Sequence, residues 1–400
     1  MSATERILKD ARLEMPSSNA NRLAAVFGVI GIIGIVVTAL GFGNEAERAD
    51  ALTSYLVAYM FLATIAVGGL FFAMLQYLVG AFWSVTVRRI AENMGAILPL
   101  VALLFIPIAW GVPYIFPWAS GGHLEPDVAA KTGYLNTPFW MIRSVGYVVI
   151  WAILGLVFYN RSRSIDTTGD VGTVLLLRKL SAPGVILFGL TLTFAGFDWF
   201  MSIDPTWAST MFGVYAFAGT ILSALSTIVL TALILQASGY LKGIINEEHF
   251  HDIGKLMFGF IVFWAYIAFS QFFLIWYANL PEETHWYRLH WEGGWSTLTI
   301  ALILLHFLIP FFAILSRHAK RNRLIMLVIS LLLIGMHYVD LFWVVMPIKR
   351  SEMQFHFRDF TALIGMTGLG LAAFLNRLGT GPLIPVKDPL LNASLEYDNV

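Results

Sequence analysis

Long runs of apolar residues, separated by short polar segments, dominate the pattern of this chain. A helix that crosses roughly 30 Å of hydrocarbon needs about 20 mostly apolar residues. The pattern predicts membrane-spanning helices at 23–42, 54–80, 94–116, 139–160, 182–201, 209–236, 256–278, 296–315, 324–346 and 359–377. Helix is favoured over strand because backbone groups in lipid must pair internally and these runs are too long for barrel strands. We therefore expect an all-α integral membrane protein of about ten transmembrane helices.

A short internal repeat indicates how these helices are grouped. Asp198 precedes Pro205 by seven residues at the end of helix five, and Asp340 precedes Pro347 by the same interval at the end of helix nine. The repeat predicts two similar four-helix bundles, helices 2–5 and 6–9, flanked by helices 1 and 10. The predicted units are a cytoplasmic arm (1–22), the first helix with an outer loop (23–53), the first bundle (54–203), the second bundle (204–347), the last helix (348–378) and a cytoplasmic tail (379–400).

The distribution of Lys and Arg predicts the orientation. With the N-terminus inside, only seven of the 25 basic residues fall outside, namely Arg48, Lys131, Arg143, Arg288, Lys349, Arg350 and Arg358. Because inner loops of membrane proteins carry the excess of positive charge, both termini are expected in the cytoplasm.

Composition supports this class and excludes several functions. The chain is 58% hydrophobic and 12% charged, with a mean hydropathy of +0.74, so it needs lipid as its solvent. Its formal net charge is zero, which gives no general attraction to nucleic acid. It has no cysteine and therefore cannot ligate an iron–sulfur cluster by thiolates or attach a c-type haem covalently.

Ionisable residues within the spans are the candidate functional groups, since each costs about 2.5 to 3.5 kcal/mol to insert at the centre of a bilayer. His306, His337, Asp340 and Asp198 are predicted to form parts of a proton path. His337 and Asp340 share a helical face, and His306 on the preceding antiparallel helix can reach a similar depth. The alternatives are buried polar pairs that hold helices together and, less favoured, axial ligation of a b-type haem by His306 and His337. No metal site is predicted.

A second polar group lies toward the outer end of the first bundle. Arg143 and Asp198 on adjacent helices are predicted either to form an ion pair or to line a polar pocket. Asp204 before Pro205 is expected to cap the start of helix six.

Three smaller features have structural interpretations. Prolines 99, 107 and 113 are expected to bend helix three. His249 and His251, with the acidic residues around them, are interpreted as a solvated inner loop rather than a metal site. Tryptophans near helix ends are expected to anchor at the membrane interface rather than to form a quinone site, namely Trp118, Trp207, Trp286 and Trp295.

One motif resembles a known family. The run from Phe197 to Thr210, with Asp198-Trp-Phe-Met-Ser-Ile-Asp-Pro205 at its centre and Phe212-Gly-Val-Tyr215 after it, is similar to a signature of the NrfD-like (polysulfide reductase membrane subunit) family. The segment Val339-Asp-Leu-Phe-Trp343 and the loop from Glu282 to Trp295 add to the resemblance. The length is closest to the smaller of the two NrfD-like membrane subunits of bacterial alternative complex III. The chain departs from the family pattern at 136–140, where the family has a histidine.

The resemblance implies a lipid-embedded subunit of a quinol-oxidising complex in the bacterial cytoplasmic membrane. Its implied partners are a multihaem cytochrome, an iron–sulfur protein and a second NrfD-like subunit, while the chain itself carries no redox cofactor. A quinone or menaquinone pocket would include Arg143, Asp198 and Asp204, although the smaller subunit is usually assigned a proton-conducting or structural role. The alternatives are a secondary transporter built from helical repeats and a purely structural anchor for redox subunits.

Overall fold

The computed structural model describes residues 8–398. Over this range the chain is helical and has no β-strand, which confirms the predicted all-α class. The helices are α1 Ser17–Leu40, α2 Arg48–Val79, α3 Val85–Gly95, α4 Leu98–Leu104, α5 Ile106–Ile115, α6 Pro126–Ala129, α7 Thr137–Thr168, α8 Val171–Trp199, α9 Phe212–Ala237, α10 Glu247–Ala278, α11 Pro281–Leu289, α12 Ser296–Ala301, α13 Ile309–Ala313, α14 Arg317–Arg321, α15 Arg323–Lys349, α16 Phe357–Leu378 and α17 Leu391–Leu395. A π-helical segment, Leu302–Leu308, joins α12 to α13.

Nine continuous helical stretches within residues 8–398 are long and apolar enough to cross a membrane. A tenth span results if the helical segments on either side of a bend are counted as one. The bent span is the predicted third helix, divided into α3, α4 and α5, with a 52° change of direction before Ile106. Pro107 occupies the first turn of α5 and has no N–H to donate, so the hydrogen-bond ladder cannot continue through it. The prediction that prolines bend this helix is confirmed at Pro107, whereas Pro113 lies inside α5.

Several helices extend beyond the apolar runs that predicted them. Helix α8 begins at Val171 because Asp170 accepts hydrogen bonds from Gly172 N and Thr173 N, both at 2.9 Å. Helix α10 begins at Glu247 behind the cap Asn246. The interpretation of residues 247–252 as a solvated loop is therefore wrong: they form the first turns of α10, and His249 is buried.

Helix α2 lies at the centre of the molecule. Of its most apolar stretch, 94% is buried inside the protein, against 17% for α1, so α2 is surrounded by other helices while α1 faces lipid. It packs against the bent span and α8 on one side and against α9 and α15 on the other. The two groups of helices therefore meet along α2 and α9.

Helices α1 and α16, the first and last spans, pack tightly against each other through glycines. A Cβ on Gly34 would lie 2.7 Å from Gly365 Cα, and one on Gly368 would lie 2.7 Å from Gly31 Cα. Small residues let two backbones approach closely. Such close packing drives helix association in a membrane, because lipid is as apolar as the helix surfaces and gives no hydrophobic driving force. The two flanking helices therefore form a pair.

The helices alternate in direction, which gives the molecule two faces. The terminal face carries the described ends of the chain, where Leu383 N donates to Leu13 O at 2.7 Å. The opposite loop face carries segments 116–136, 200–211 and 279–295. The cytoplasmic arm and tail were predicted on one side, and the described parts of both lie on the terminal face; residues 1–7 and 399–400 are outside the described range.

The C-terminal segment crosses the terminal face and contacts both bundles. Asp388 accepts a hydrogen bond from Arg88 at 2.5 Å, and both side chains are buried. Ser394 Oγ donates to Trp83 O at 2.9 Å, and the Tyr397 hydroxyl donates to Asp252 at 2.5 Å. The segment predicted as a cytoplasmic tail is thus packed onto the bundles over its described length.

The tryptophans expected at the membrane interface are buried instead. Trp118, Trp207, Trp286 and Trp295 are at most 6% exposed. Trp207 and Trp286 stack on each other with ring centroids 4.6 Å apart. The interfacial prediction is wrong for these four residues because the loop-face segments fold over the bundle ends and enclose them.

Candidate functional site

The carboxylate of Asp340 is the centre of a buried polar cluster in the second bundle. It lies on α15 and is 3% exposed. The Tyr215 hydroxyl on α9 donates to its Oδ1, and Trp264 Nε1 on α10 donates to its Oδ2 at 3.2 Å. No Lys or Arg within residues 8–398 forms an ion pair with it. Two neutral donors therefore hold this carboxyl group in place.

His337 lies one helical turn before Asp340 and is fixed by α2. Its Nε2 is 2.8 Å from Thr64 Oγ1, and the Thr64 hydroxyl also donates to Met60 O at 2.7 Å. Because the single hydroxyl proton goes to the carbonyl, we assign the Nε2 proton to His337, which donates to Thr64. Nδ1 is then a free acceptor, and it has no hydrogen-bond partner among the described residues.

A small cavity separates His337 from Asp340. Its volume is about 20 Å³, and Thr64, Tyr215, Gly219, His337 and Asp340 contribute to its lining. A cavity needs about 10 to 15 Å³ and two or more polar partners to hold one water. The space therefore accommodates a single water between the unpaired His337 Nδ1 and Asp340. We call these five residues the Asp340 site.

Gly219 determines the size of this cavity. A Cβ at this position would lie 3.3 Å from His337 Nδ1 and 3.7 Å from Asp340 Oδ2. Any side chain there would therefore occupy the space between the two titratable groups.

His306 does not join the site by a direct hydrogen bond. It lies in the π-helical segment, its ring stacks on Trp264 with centroids 4.2 Å apart, and neither ring nitrogen has a hydrogen-bond partner among the described residues. Trp264 therefore contacts both His306 and Asp340. The predicted residues His306, His337 and Asp340 are brought into one region, but not into one hydrogen-bonded chain.

The two histidines do not fit the axial ligands of a haem. The cavity beside His337 is about 20 Å³, and His306 does not line it. A haem needs both imidazole nitrogens directed into one large flat space.

Arg143 and Asp198 form a closed ion pair on the loop-face side of the first bundle. Arg143 NH2 and Nε lie 2.7 and 2.9 Å from the two carboxylate oxygens of Asp198. Tyr147, one turn further along α7, donates to the same carboxylate at 2.8 Å. The Tyr134 ring covers the guanidinium at 3.8 Å. A bidentate, fully hydrogen-bonded pair of this kind holds α7 to α8.

Asp204 lies apart from that pair, in the segment that joins the bundles. Its Oδ1 accepts from Thr206 Oγ1 at 2.5 Å, and its Oδ2 is 2.8 Å from His285 Nε2. The prediction that Asp204 caps helix six is wrong, because α9 begins only at Phe212. Asp204 instead forms a local turn and fastens the 279–295 loop to the segment after α8.

A second, much larger cavity of about 760 Å³ lies in the second bundle, beside the Asp340 site. It runs between α10, the 279–295 loop, the π-helical segment and the end of α15. Tyr215 lines both cavities. Arg143, Asp198 and Asp204 do not line either one.

Several residues of these sites escaped the sequence reasoning. Thr64 and Gly219 give no signal in an apolar run, since nothing in the pattern indicates which face of a helix meets its neighbour. Tyr215 stands in the motif that carries the family resemblance, but no charge marks it. Trp264 and His285 hydrogen-bond to buried carboxylates through their ring nitrogens, and these contacts can be identified only when the packing of the helices is known.

The comparisons with known proteins add no assignment: no protein-family model matches the chain, and no curated protein matches it significantly in sequence.

Proposed function

We propose that this chain is a membrane subunit of a quinol-oxidising respiratory complex in the bacterial cytoplasmic membrane and that the Asp340 site is part of its proton path. The coarser statement, a multi-pass membrane protein, rests on the apolar helices described above. The finer one rests on the motif resemblance and on the Asp340 site.

The single observation that carries the proposal is the arrangement of Tyr215, Asp340, one water-sized space, His337 and Thr64 in sequence. Each neighbouring pair is either hydrogen-bonded or separated by the space for one water. Groups that both donate and accept can pass a proton along such a chain.

Quinol oxidation is a source of protons for this row of hydrogen-bonding groups. Each hydroquinone that becomes a quinone releases two electrons and two protons. We assign the electrons to redox centres on partner subunits, as the motif resemblance implies, and without cysteine this chain holds no thiolate-bound cluster. The protons require acceptors near the quinol, and Tyr215 supplies a hydroxyl at the wall of a large cavity, with the carboxylate of Asp340 hydrogen-bonded behind it.

The environment of Asp340 favours proton transfer over helix fastening. Asp198 sits at the matching position of the repeat and accepts two hydrogen bonds from Arg143, which hold α7 to α8. Asp340 has only Tyr215 and Trp264 as described hydrogen-bond donors. A carboxyl group without a fixed cation can change its protonation state at much lower cost.

The test is Asp340→Asn in the assembled complex, reconstituted into vesicles. Asparagine keeps the size and accepts from Tyr215 but does not take up a proton. We expect quinol oxidation coupled to proton release to fall by about tenfold or more, because positioned acid–base groups typically contribute about 10²- to 10⁴-fold. The matched control is Asp127→Asn, an exposed loop-face carboxylate. An unchanged rate and an unchanged proton-to-electron ratio would exclude the proton role.

A secondary transporter is the second candidate, favoured by two interruptions of the helices. The third span bends by 52° before Ile106, and the eighth contains the π-helical segment with His306. Discontinuous helices in transporters expose backbone groups that bind ions. Purification discriminates: recovery with haem and iron–sulfur subunits supports the first proposal, and solute binding by a stable isolated chain supports the second.

A further inference from the structure

The 760 Å³ cavity of the second bundle has the size and the shape of a ligand site. Clefts that bind small organic molecules typically have volumes of about 300 to 1,000 Å³ and are lined mainly by apolar and aromatic groups with a few polar ones. This cavity is bordered by the aromatic rings of Trp264, Trp286 and Trp343 and by the phenols of Tyr215 and Tyr287.

The cavity opens toward lipid. Phe269 and Trp276 on α10 and Ile303 in the π-helical segment line it, and they are 63%, 62% and 48% exposed. All three belong to stretches that cross the membrane. A ligand can therefore enter from the bilayer between these two helices, and part of it can stay in the lipid.

The inner end of the cavity is polar, and no Lys or Arg among the described residues lines that end. Tyr215 and Trp264 form this end, and both hydrogen-bond to Asp340 behind them. Gln271 Nε2 donates to the Tyr287 hydroxyl at 3.1 Å along the wall. Burial lowers the pKa of His290 to about 4, so this lining residue is neutral at pH 7. The ligand head should therefore be a neutral group that makes hydrogen bonds.

Charge is confined to the rim on the loop face. Arg288 and Glu292 line that edge, and their side chains are 72% and 64% exposed. The distance from Arg288 Nε to Glu292 Oε1 is 3.5 Å. Because they compensate each other at the water boundary, the cavity offers no isolated charge to a phosphate head group.

We propose that this cavity binds a lipid-soluble hydroquinone or quinone, with the ring between the tryptophans, an oxygen toward Tyr215, and the apolar tail leaving past Phe269 and Ile303. The inference rests on the proposed function for its substrate class. It locates the site in a cavity of the second bundle that Arg143, Asp198 and Asp204 do not line, whereas the motif resemblance implies a quinone pocket at those three residues. An acyl chain alone would leave the polar inner end unused.

The test uses the full chain in phosphatidylcholine nanodiscs, titrated with a decyl-tailed benzoquinone or naphthoquinone. Quinones quench tryptophan fluorescence on contact, and this cavity has tryptophans on several walls. The wild-type protein should show saturable quenching. Ala268→Phe places a phenyl group in the cavity and should weaken binding by about tenfold or more.

Val262→Phe is the matched control, because it adds the same ring to the same helix at a lipid-facing position that does not line the cavity. It should bind as the wild type does. Ala265→Phe, a second lining position on α10, replaces Ala268→Phe if the latter unfolds at a lower temperature than the control.

Equal affinity in the wild type and in both cavity-filling variants overturns the site. Recovery of a tightly bound phospholipid that the quinones do not displace overturns it as well. The proposed function fails separately: if Asp340→Asn leaves coupled proton release intact while Ala268→Phe still abolishes quinone binding, the ligand site stands and the proton path does not.

Discussion

Gly219→Ala is the sharpest perturbation of the Asp340 site, because it adds a single methyl group between His337 and Asp340. The new Cβ would lie 3.3 Å from His337 Nδ1 and Cε1 and 3.7 Å from Asp340 Oδ2. The cavity between these groups is about 20 Å³, comparable to the space of one water. The methyl group therefore fills the space in which one water could bridge the two residues.

The fold should tolerate this change. Contacts of 3.3 Å require a shift of a few tenths of an ångström, and inserting a methylene into a packed core costs about 1 to 3 kcal/mol. Replacing glycine by alanine within a helix contributes about 1 kcal/mol in the opposite direction. The net loss of stability is then about 0 to 2 kcal/mol, whereas the proton route loses its only link between the two side chains.

The assay measures quinol oxidation and proton release together in vesicles that contain the assembled complex, with thermal unfolding as a check of folding. We expect coupled turnover to fall by about tenfold or more. Gly335→Ala is the matched control, since Gly335 lies on the same helix as His337 and a Cβ there meets nothing within 4 Å. It should unfold at the same or a higher temperature and retain full turnover.

The refuting result is a Gly219→Ala protein that folds normally and releases protons at the wild-type rate and ratio. Protons would then cross this region without the water between His337 and Asp340, and the order of groups proposed above would be wrong. A loss of turnover in both glycine variants would also count against the reasoning, because Gly335 touches none of these groups.

Two further predictions concern stability and are measured by thermal unfolding in detergent. Arg143→Met removes the cation from the buried Asp198 carboxylate and should cost about 3 to 5 kcal/mol, and a smaller effect would mean that water reaches the carboxylate. His290 has its pKa lowered by burial to about 4, so the unfolded chain binds the proton first as the pH falls below about 6.5. His290 alone should account for about 2 kcal/mol of the stability that the wild-type protein loses between pH 7 and pH 5, so His290→Gln should lose that much less, and identical losses would contradict the assigned burial.

The number of spans could be predicted from sequence because lipid imposes a length on every apolar run. The rotation of each helix could not. Helices α1 and α2 have mean hydropathies of 2.7 and 2.2 over their most apolar stretches, yet 17% of one stretch and 94% of the other are buried in the protein. Lipid and protein interior are both apolar, so an apolar pattern does not tell them apart.

The same limit explains what sequence reasoning found and missed at the candidate sites. Ionisable residues were identifiable because charge in lipid is costly, and Arg143 with Asp198 proved to be a pair. Their neutral partners, Thr64 and Tyr215, were not identifiable without packing. Asp204 was misjudged because an Asp-Pro pair suits a helix start and a turn equally well, and only the contact with His285 separates the two.

The contact of Arg88 with Asp388 has a consequence for biogenesis. The two residues are 300 positions apart, and the nearby Glu92 contacts both Arg88 and Arg89, of which Arg89 also pairs with Asp166. During synthesis Arg88 enters the bilayer long before the ribosome has made Asp388. Until Asp388 has been made, Arg88 on the terminal face lacks one of its counter-ions, so synthesis of the C-terminal segment is the event that completes this contact. Nascent chains stalled shortly before this residue should remain open to quality-control proteases.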